Sequence, residues 1–287
     1  MMDWGLKLRM YFTMIMLALL YIVFLVILSL LNVRFEALMA IAAILLIVQY
    51  YFSDKLVLMS VGARIVSEEE APKLYSIIRK LSQEAGIPMP KVAIVNTPIP
   101  NAFATGRSPS ASVVAVTTGL LKTLDWDEIE AVLAHEISHI RNRDVAVITI
   151  ASFISMVAFF IMRWAMIMGL TEERRESYAG IIFAVSALVW FLSFLLIRAL
   201  SRYREYVADY GSAMLTRNPR ALISALAKIS GKIKLVSAYE RKKVEGLNAF
   251  FIIPAISGET ILSLFSTHPP VEKRIEKLEE LARRMGW

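Results

Sequence analysis

The chain reads as a mainly α integral membrane protein: four transmembrane helices with a cytoplasmic α+β domain that contains a small β-sheet. Three observations carry this reading. Of its 287 residues 57% are hydrophobic and the mean hydropathy is +0.57, which is high for a soluble protein of this size. The apolar residues are gathered into four uncharged or nearly uncharged runs. The two hydrophilic stretches between and after them carry capping signals and β-branched runs.

Residues 10–31 hold no charged side chain and would make about 33 Å of helix, enough to cross the hydrocarbon core. Residues 37–53 form a second run near the short end of the spanning range. The third covers 145–168, and the fourth 179–197. The first run is too long for a signal-peptide core and no small-residue cleavage site precedes the second, so it reads as a retained anchor. Arg163, beside Trp164, reads as an arginine that snorkels to the interface. The methionines, 14 in all, lie mostly in the spans and read as core filling.

The expected organisation is a hairpin in 1–53, a first hydrophilic part in 54–144, a second hairpin in 145–197 and a second hydrophilic part in 198–287. One side of the spans collects Lys7, Arg9, Lys55, Arg64, Arg141, Arg143, Arg198, Arg202 and Arg204. The other has Arg34, Arg174 and Arg175, the last two among Glu172, Glu173 and Glu176. The richer side is expected in the cytoplasm, with both termini. A net charge of +7 needs no nucleic-acid partner, because basic residues beside anionic lipid account for much of it. With no cysteine, disulfides and thiolate metal sites are excluded, as suits a reducing compartment.

Within 54–144, Ser67-Glu-Glu-Glu70 reads as a capping box that opens a helix to about Ala85, stopped by Gly86 and Pro88. Lys91–Thr97 and Ser112–Thr118 read as strands. Between them Asn-Ala-Phe-Ala-Thr-Gly, residues 101–106, reads as a loop or hairpin bend. Asp125 and Glu128 form a second capping box. In 198–287, Asn218-Pro219 opens a helix to about Leu235 and Pro269-Pro270 opens the last one. Residues 240–265 are poorly periodic, and only that irregularity suggests a lid.

The helix opened at Asp125 carries His-Glu-Ile-Ser-His, residues 135–139, and the chain has only one other histidine, His268. Positions i and i+4 share a helix face, so His135 and His139 can grip one metal ion while Glu136 stands beside its open position. The alternative is an exposed helix with two incidental histidines. A hydrolytic zinc site needs a third ligand, and His268 or a carboxylate must supply it. Glu205 is the better placed. It lies eight residues past the fourth run, and His139 lies six before the third. If both helices continue out of the bilayer, these are rises of about 12 and 9 Å on antiparallel neighbours.

Asp209, one turn beyond Glu205, reads either as the acceptor for the free ring N–H of a zinc histidine or as the partner of a nearby arginine. Asn142 and Asp144 are as suited to Arg141 and Arg143 as to the site. His268 reads as an oxyanion donor or as the neighbour of a helix start.

Taken in order, Asn-Ala-Phe-Ala-Thr-Gly, His-Glu-Ile-Ser-His with Arg-Asn-Arg-Asp, Ser-Arg-Tyr-Arg-Glu-Tyr-Val-Ala-Asp and Thr-His-Pro-Pro resemble the HtpX-type membrane zinc metalloproteases, relatives of the CAAX prenyl endopeptidases. The resemblance runs from the first apolar run to the C-terminus. It implies a zincin-like protease domain with one Zn²⁺ per chain, ligated by His135, His139 and Glu205, and Glu136 as the base. It also implies cleavage of misfolded or damaged membrane proteins on the cytoplasmic side, in quality control and the stress response. The segment Asn101, Ala102, Phe103, Ala104 is expected beside the cleft, where a strand edge would align substrate. The CAAX enzymes have more than four spans, so a prenyl substrate is not implied. A processing protease for one substrate and a non-catalytic membrane chaperone are the rival readings.

Overall fold

The computed structural model describes residues 4–31, 36–169, 176–235 and 268–287; residues 240–265 lie outside the described residues. The chain divides into two compact units, Met1–Tyr51 with Val147–Tyr203, and Phe52–Ala146 with Arg204–Trp287.

The first unit is built from long apolar helices: α1 (Trp4–Leu30), the first part of α2 (Glu36–Ser60), most of α6 (Asp144–Gly169) and the first part of α7 (Glu176–Thr216). Phe24 and Leu28 pack with Val157, Ala158, Ile161, Ala165, Ile182 and Val189 in its interior. The Tyr21 hydroxyl of α1 donates to the Ala151 carbonyl of α6 at 2.7 Å. The outer faces are apolar too, with Leu8, Ile15, Ile22, Ile44, Ile150 and Leu188 all exposed. A soluble protein rarely shows so much contiguous apolar surface, whereas lipid covers it without cost. Among the described residues Trp4–Leu30, Asp144–Ile167 and Ala179–Thr216 are long and apolar enough to cross a membrane. The remaining apolar stretch, Met39–Phe52 in α2, is shorter, about 21 Å of helix.

The second unit holds a four-stranded sheet and the helices that cover it. The strands are β1 (Ala63–Ile65), β2 (Lys91–Val95), β3 (Ala102–Thr105) and β4 (Val113–Thr117), in the order β1-β2-β4-β3. β2 and β4 are parallel; the edge strands β1 and β3 are antiparallel to their neighbours. Side chains alternate across the sheet. Val92, Ala102, Val114 and Val116 face the main core, while Ala93, Val95, Phe103, Val113 and Ala115 face Val57, Leu58 and Val61 at the end of α2. The main core is completed by α3 (Pro72–Ala85), α4 (Thr118–Thr123), α5 (Trp126–Arg141), α8 (Pro219–Leu235) and α9 (Val271–Met285).

Three elements differ from the sequence reading. The helix after Ser67 starts later, at Pro72, because proline has no N–H to lose and favours the first helical position. Ser67–Glu70 is instead a turn, closed by the Ser67 N–H on the Glu70 carboxylate at 2.8 Å. The 101–106 segment is not a bend. Its turn-favouring residues stand at the two ends of β3, and the Ala-Phe-Ala-Thr between them pairs with β4. Gly106, at φ +131°, ends the strand where a Cβ would meet the Ala111 carbonyl oxygen at 2.3 Å. Finally, the His135 helix does not run on into the third apolar run. α5 stops at Arg141 and Arg143 takes φ +54°, so the chain turns before α6 begins at Asp144. α7, by contrast, is continuous across the whole of Glu176–Thr216.

Candidate metal centre and active site

α5 is the buried centre of the second unit. Its start is fixed by the Asp125–Glu128 capping box, with the Asp125 N–H donating to Glu128 at 2.9 Å. Ile129, Val132, Leu133 and Ile137 fill the core, and His135, Glu136 and Ser138 are buried among them. The end of α7 lies antiparallel to it, stitched at three levels. The Ser212 hydroxyl donates to the Ala131 carbonyl at 2.6 Å, Asp209 Oδ1 lies 3.0 Å from His135 Nδ1, and Glu205 Oε1 lies 3.3 Å from His139 Nε2. Positions 205, 209 and 212 form one helical face, as do 131, 135 and 139. Gly211 permits the approach, since a Cβ there would meet Ser138 Oγ at 2.3 Å.

His135, His139 and Glu205 therefore converge. The two Nε2 atoms are 3.1 Å apart, and Glu205 Oε2 is 3.7 Å from His135 Nε2. A tetrahedral zinc site with bonds of about 2.0–2.1 Å places its ligand atoms about 3.3 Å from one another. Two imidazoles and one carboxylate at this spacing, all on buried or half-buried residues, fit such an ion without rearrangement. The second ring nitrogens are also occupied. His139 Nδ1 lies 2.6 Å from Asp144 Oδ2, and His135 Nδ1 is on Asp209. Such bonds fix the tautomer that leaves Nε2 for a metal.

Both of those carboxylates are held by buried arginines. Arg204 pairs with Asp144 and donates to the Asn142 carbonyl at 2.8 Å. Arg274, from α9, donates through Nε to Asp209 Oδ2 at 2.9 Å and through Nη2 to Oδ1 at 2.5 Å. The arginine that meets Asp209 is thus distant in sequence, and Asp144 meets the site and Arg204, not Arg141 or Arg143. Sequence reasoning missed Arg274 entirely. It lies in a strongly charged amphipathic helix, where one more arginine reads as solvated surface. Its place on the apolar stripe with Leu278 was the available signal.

Glu136 is 5% exposed, and burial pushes its carboxyl above the usual carboxylate range. The backbone N–H of Ala104 lies toward its carboxylate and partly offsets this shift. This contact follows from the register of β3. The Thr117 N–H donates to the Asn101 carbonyl at 2.9 Å, so residues 101, 103 and 105 turn their main-chain groups toward β4. Ala102 and Ala104 turn theirs to the open edge. Phe103 is buried on the face of the sheet away from the main core. His268 is buried, with Nδ1 2.9 Å from Glu205 Oε2. A small cleft opens beside His139, between Thr105–Pro109 and Arg143–Ala146.

A helix bearing two histidines and a buried glutamate, a carboxylate converging on them from a neighbouring helix and an edge strand alongside define a metalloprotease. The chain belongs to peptidase family M48, whose model matches residues 68–282. It is 52% identical over 287 residues to protease HtpX homolog 2 of Methanosarcina acetivorans, covering 99% of this chain and 98% of that one. It is 49% identical to the HtpX homolog of Moorella thermoacetica, covering 99% and 96%, and 47% identical over 244 residues to that of Pyrococcus furiosus, covering 83% of each. The crystal structure of S. mikatae Ste24p shares the fold, with a TM-score of 0.61 at 17% identity over 95% of this chain and 67% of that one. The apolar helices and these relatives make it a membrane protein.

Proposed function

We propose that the protein is a zinc-dependent endopeptidase of the cell membrane that cleaves misfolded or damaged membrane proteins on the cytoplasmic side. The observation that carries this reading is the convergence of His135, His139 and Glu205 next to a buried Glu136 that faces the open edge of β3. His135, His139 and Glu205 would hold Zn²⁺, one per chain. When bound, zinc supplies a Lewis acid for the scissile carbonyl.

The chain's own residues do the rest. Glu136 accepts a proton from the attacking water and returns it to the leaving amine nitrogen, so one water is consumed per peptide bond. Burial raises its pKa, the direction that suits a group that must both take and release a proton. Asp209 and Asp144 hold the histidine rings, and the backbone groups of Ala102 and Ala104 pair with an extended substrate. Pairing through the main chain makes few demands on substrate side chains, which suits damaged proteins of many sequences. The charge asymmetry of the loops supports a cytoplasmic site and four spans, with α2 as a short second span.

The test is hydrolysis of casein and of a destabilised membrane protein by the detergent-purified enzyme, with zinc and after chelation. Wild type should cleave both, and Glu136→Gln should retain zinc yet lose about 10²–10⁴-fold in turnover. A Glu136→Gln variant within tenfold of wild type removes Glu136 from this role. A zinc-replete wild type that binds unfolded protein without cutting it would favour a chaperone.

A further inference from the structure

Arg274 is 1% exposed and leads the large side chains that are completely buried. A guanidinium so placed is costly unless its charge and donors are matched, and Asp209, Glu205 and His135 of the metal centre surround it. Nε and Nη2 form a two-point fork on Asp209, Nη1 lies 3.4 Å from Glu205 Oε2, and Nη2 lies 3.5 Å from His135 Nδ1. Arg274 comes from the C-terminal helix α9, which supplies none of the three converging ligand atoms.

We propose that Arg274 is a positioning residue of the metal centre, so that α9 is a working part of the site although it offers no ligand. This rests on the reading of His135, His139 and Glu205 as ligands. A planar fork fixes the plane of the carboxylate it grips, which a point charge does not. With its plane fixed, Asp209 keeps Oδ1 on the His135 Nδ1–H, and the His135 Nε2 lone pair is aimed at the metal. The remaining Nη1 holds Glu205 from the side away from His139 and limits its rotation. Arg204 plays the matching part for Asp144 and His139, but it is adjacent to Glu205 in sequence. Arg274 ties α9, a helix distant in sequence, to the centre.

The sign of one measurement separates positioning from charge. By Coulomb's law alone, removing a positive group beside a cation site tightens cation binding. Positioning requires the opposite. Arg274→Met and Arg274→Lys would be purified with the full chain in detergent. Zinc per chain would be followed against increasing chelator, and the visible spectrum recorded after Co²⁺ substitution. Both variants should release metal at about 10–100-fold lower chelator than wild type, the loss typical of removing an outer support of a ligand. Lysine should not rescue, because it keeps the charge without the fork. At saturating zinc, kcat should fall with KM unchanged, and the Co²⁺ bands should shift.

Metal retention equal to or tighter than wild type in Arg274→Met overturns the proposal. Should that variant not fold, Asp209→Asn with Arg274→Met removes the charge pair together. Equal metal loss in the pair and in Asp209→Asn alone shows that Arg274 acts through Asp209, and wild-type retention in the pair sinks the idea. If wild type itself binds no zinc, the metalloenzyme reading fails first. If it binds zinc and Arg274→Met matches it, only this inference fails.

Discussion

Gly211 of α7 lies so close to Ser138 of α5 that a Cβ on it would stand 2.3 Å from the serine Oγ and 2.8 Å from its Cβ. Two helices that bear His135, His139 and Glu205 on their facing sides meet because one residue at the crossing has no side chain. Gly211→Ala should therefore part the helices locally and draw Glu205 away from His139. A destabilisation of about 1–3 kcal/mol is expected, as for other overpacked contacts, together with weaker zinc retention. Ser138→Gly added to it should recover both, whereas Ser138→Ala, which keeps the Cβ, should recover only part. Thermal melts and metal analysis of the three variants check this. A Gly211→Ala protein as stable as wild type would show that the crossing relaxes freely.

Topology makes a separate prediction, resting on Lys and Arg placement and not on the site. A reporter fused after Trp287 should behave as cytoplasmic, and one inserted near Glu173 as external. The reverse pattern would invert the orientation and place the protease unit outside.

The sequence exposes those parts of the site that obey a fixed period. His135, Glu136 and His139 announce themselves because a helix sets i and i+4 on one face whatever surrounds it. Glu205 could be singled out because an apolar run fixes where its helix emerges. What stayed hidden depends on tertiary contact. Arg274 meets Asp209 across 65 residues of chain, and no local pattern encodes that. The sequence leaves Asp144 open between two uses because the choice is made by Arg204, which only the fold brings near. In the sequence β3 reads as a bend because Asn101 and Gly106 are strong turn residues and the strand between them is four residues long. Its identity comes from pairing with β4, which the Asn101 N–H reinforces by donating to Thr117 Oγ1 at 2.8 Å.

Acid should reveal the capping box of α5. Burial pushes the Glu128 carboxyl up, but the Lys228 ammonium, the Ser224 hydroxyl and the Asp125 N–H more than reverse this, leaving it below its ordinary value. A carboxyl lowered by folding stabilises the fold when ionised. Its contribution is present above the unfolded value of about 4.3 and is lost as pH falls through the lower folded value. Glu128→Gln should thus cost about 1–2 kcal/mol at pH 7, and the gap from wild type should close as pH is taken below about 4. Melts on zinc-free protein keep metal release out of the comparison. A gap that persists unchanged in acid would mean that shape, not charge, makes Glu128 useful.

The third ligand gives the sharpest division. Glu205 and His268 are both buried, and they touch, with His268 Nδ1 2.9 Å from Glu205 Oε2. Yet only Glu205 offers an oxygen to each histidine of α5, 3.3 Å from His139 Nε2 and 3.7 Å from His135 Nε2. His268 meets the centre through Glu205. Glu205→Ala should therefore bring bound zinc well below one per chain and abolish proteolysis. His268→Ala should keep zinc near wild type and lower turnover by at most about 3 kcal/mol of transition-state stabilisation, the cost of one lost oxyanion donor. Metal analysis and caseinolysis of the two variants side by side distinguish the roles. Full zinc in the Glu205 variant, with loss in the His268 variant, would make this a three-histidine centre and would require the His268 ring to turn from the carboxylate toward the metal.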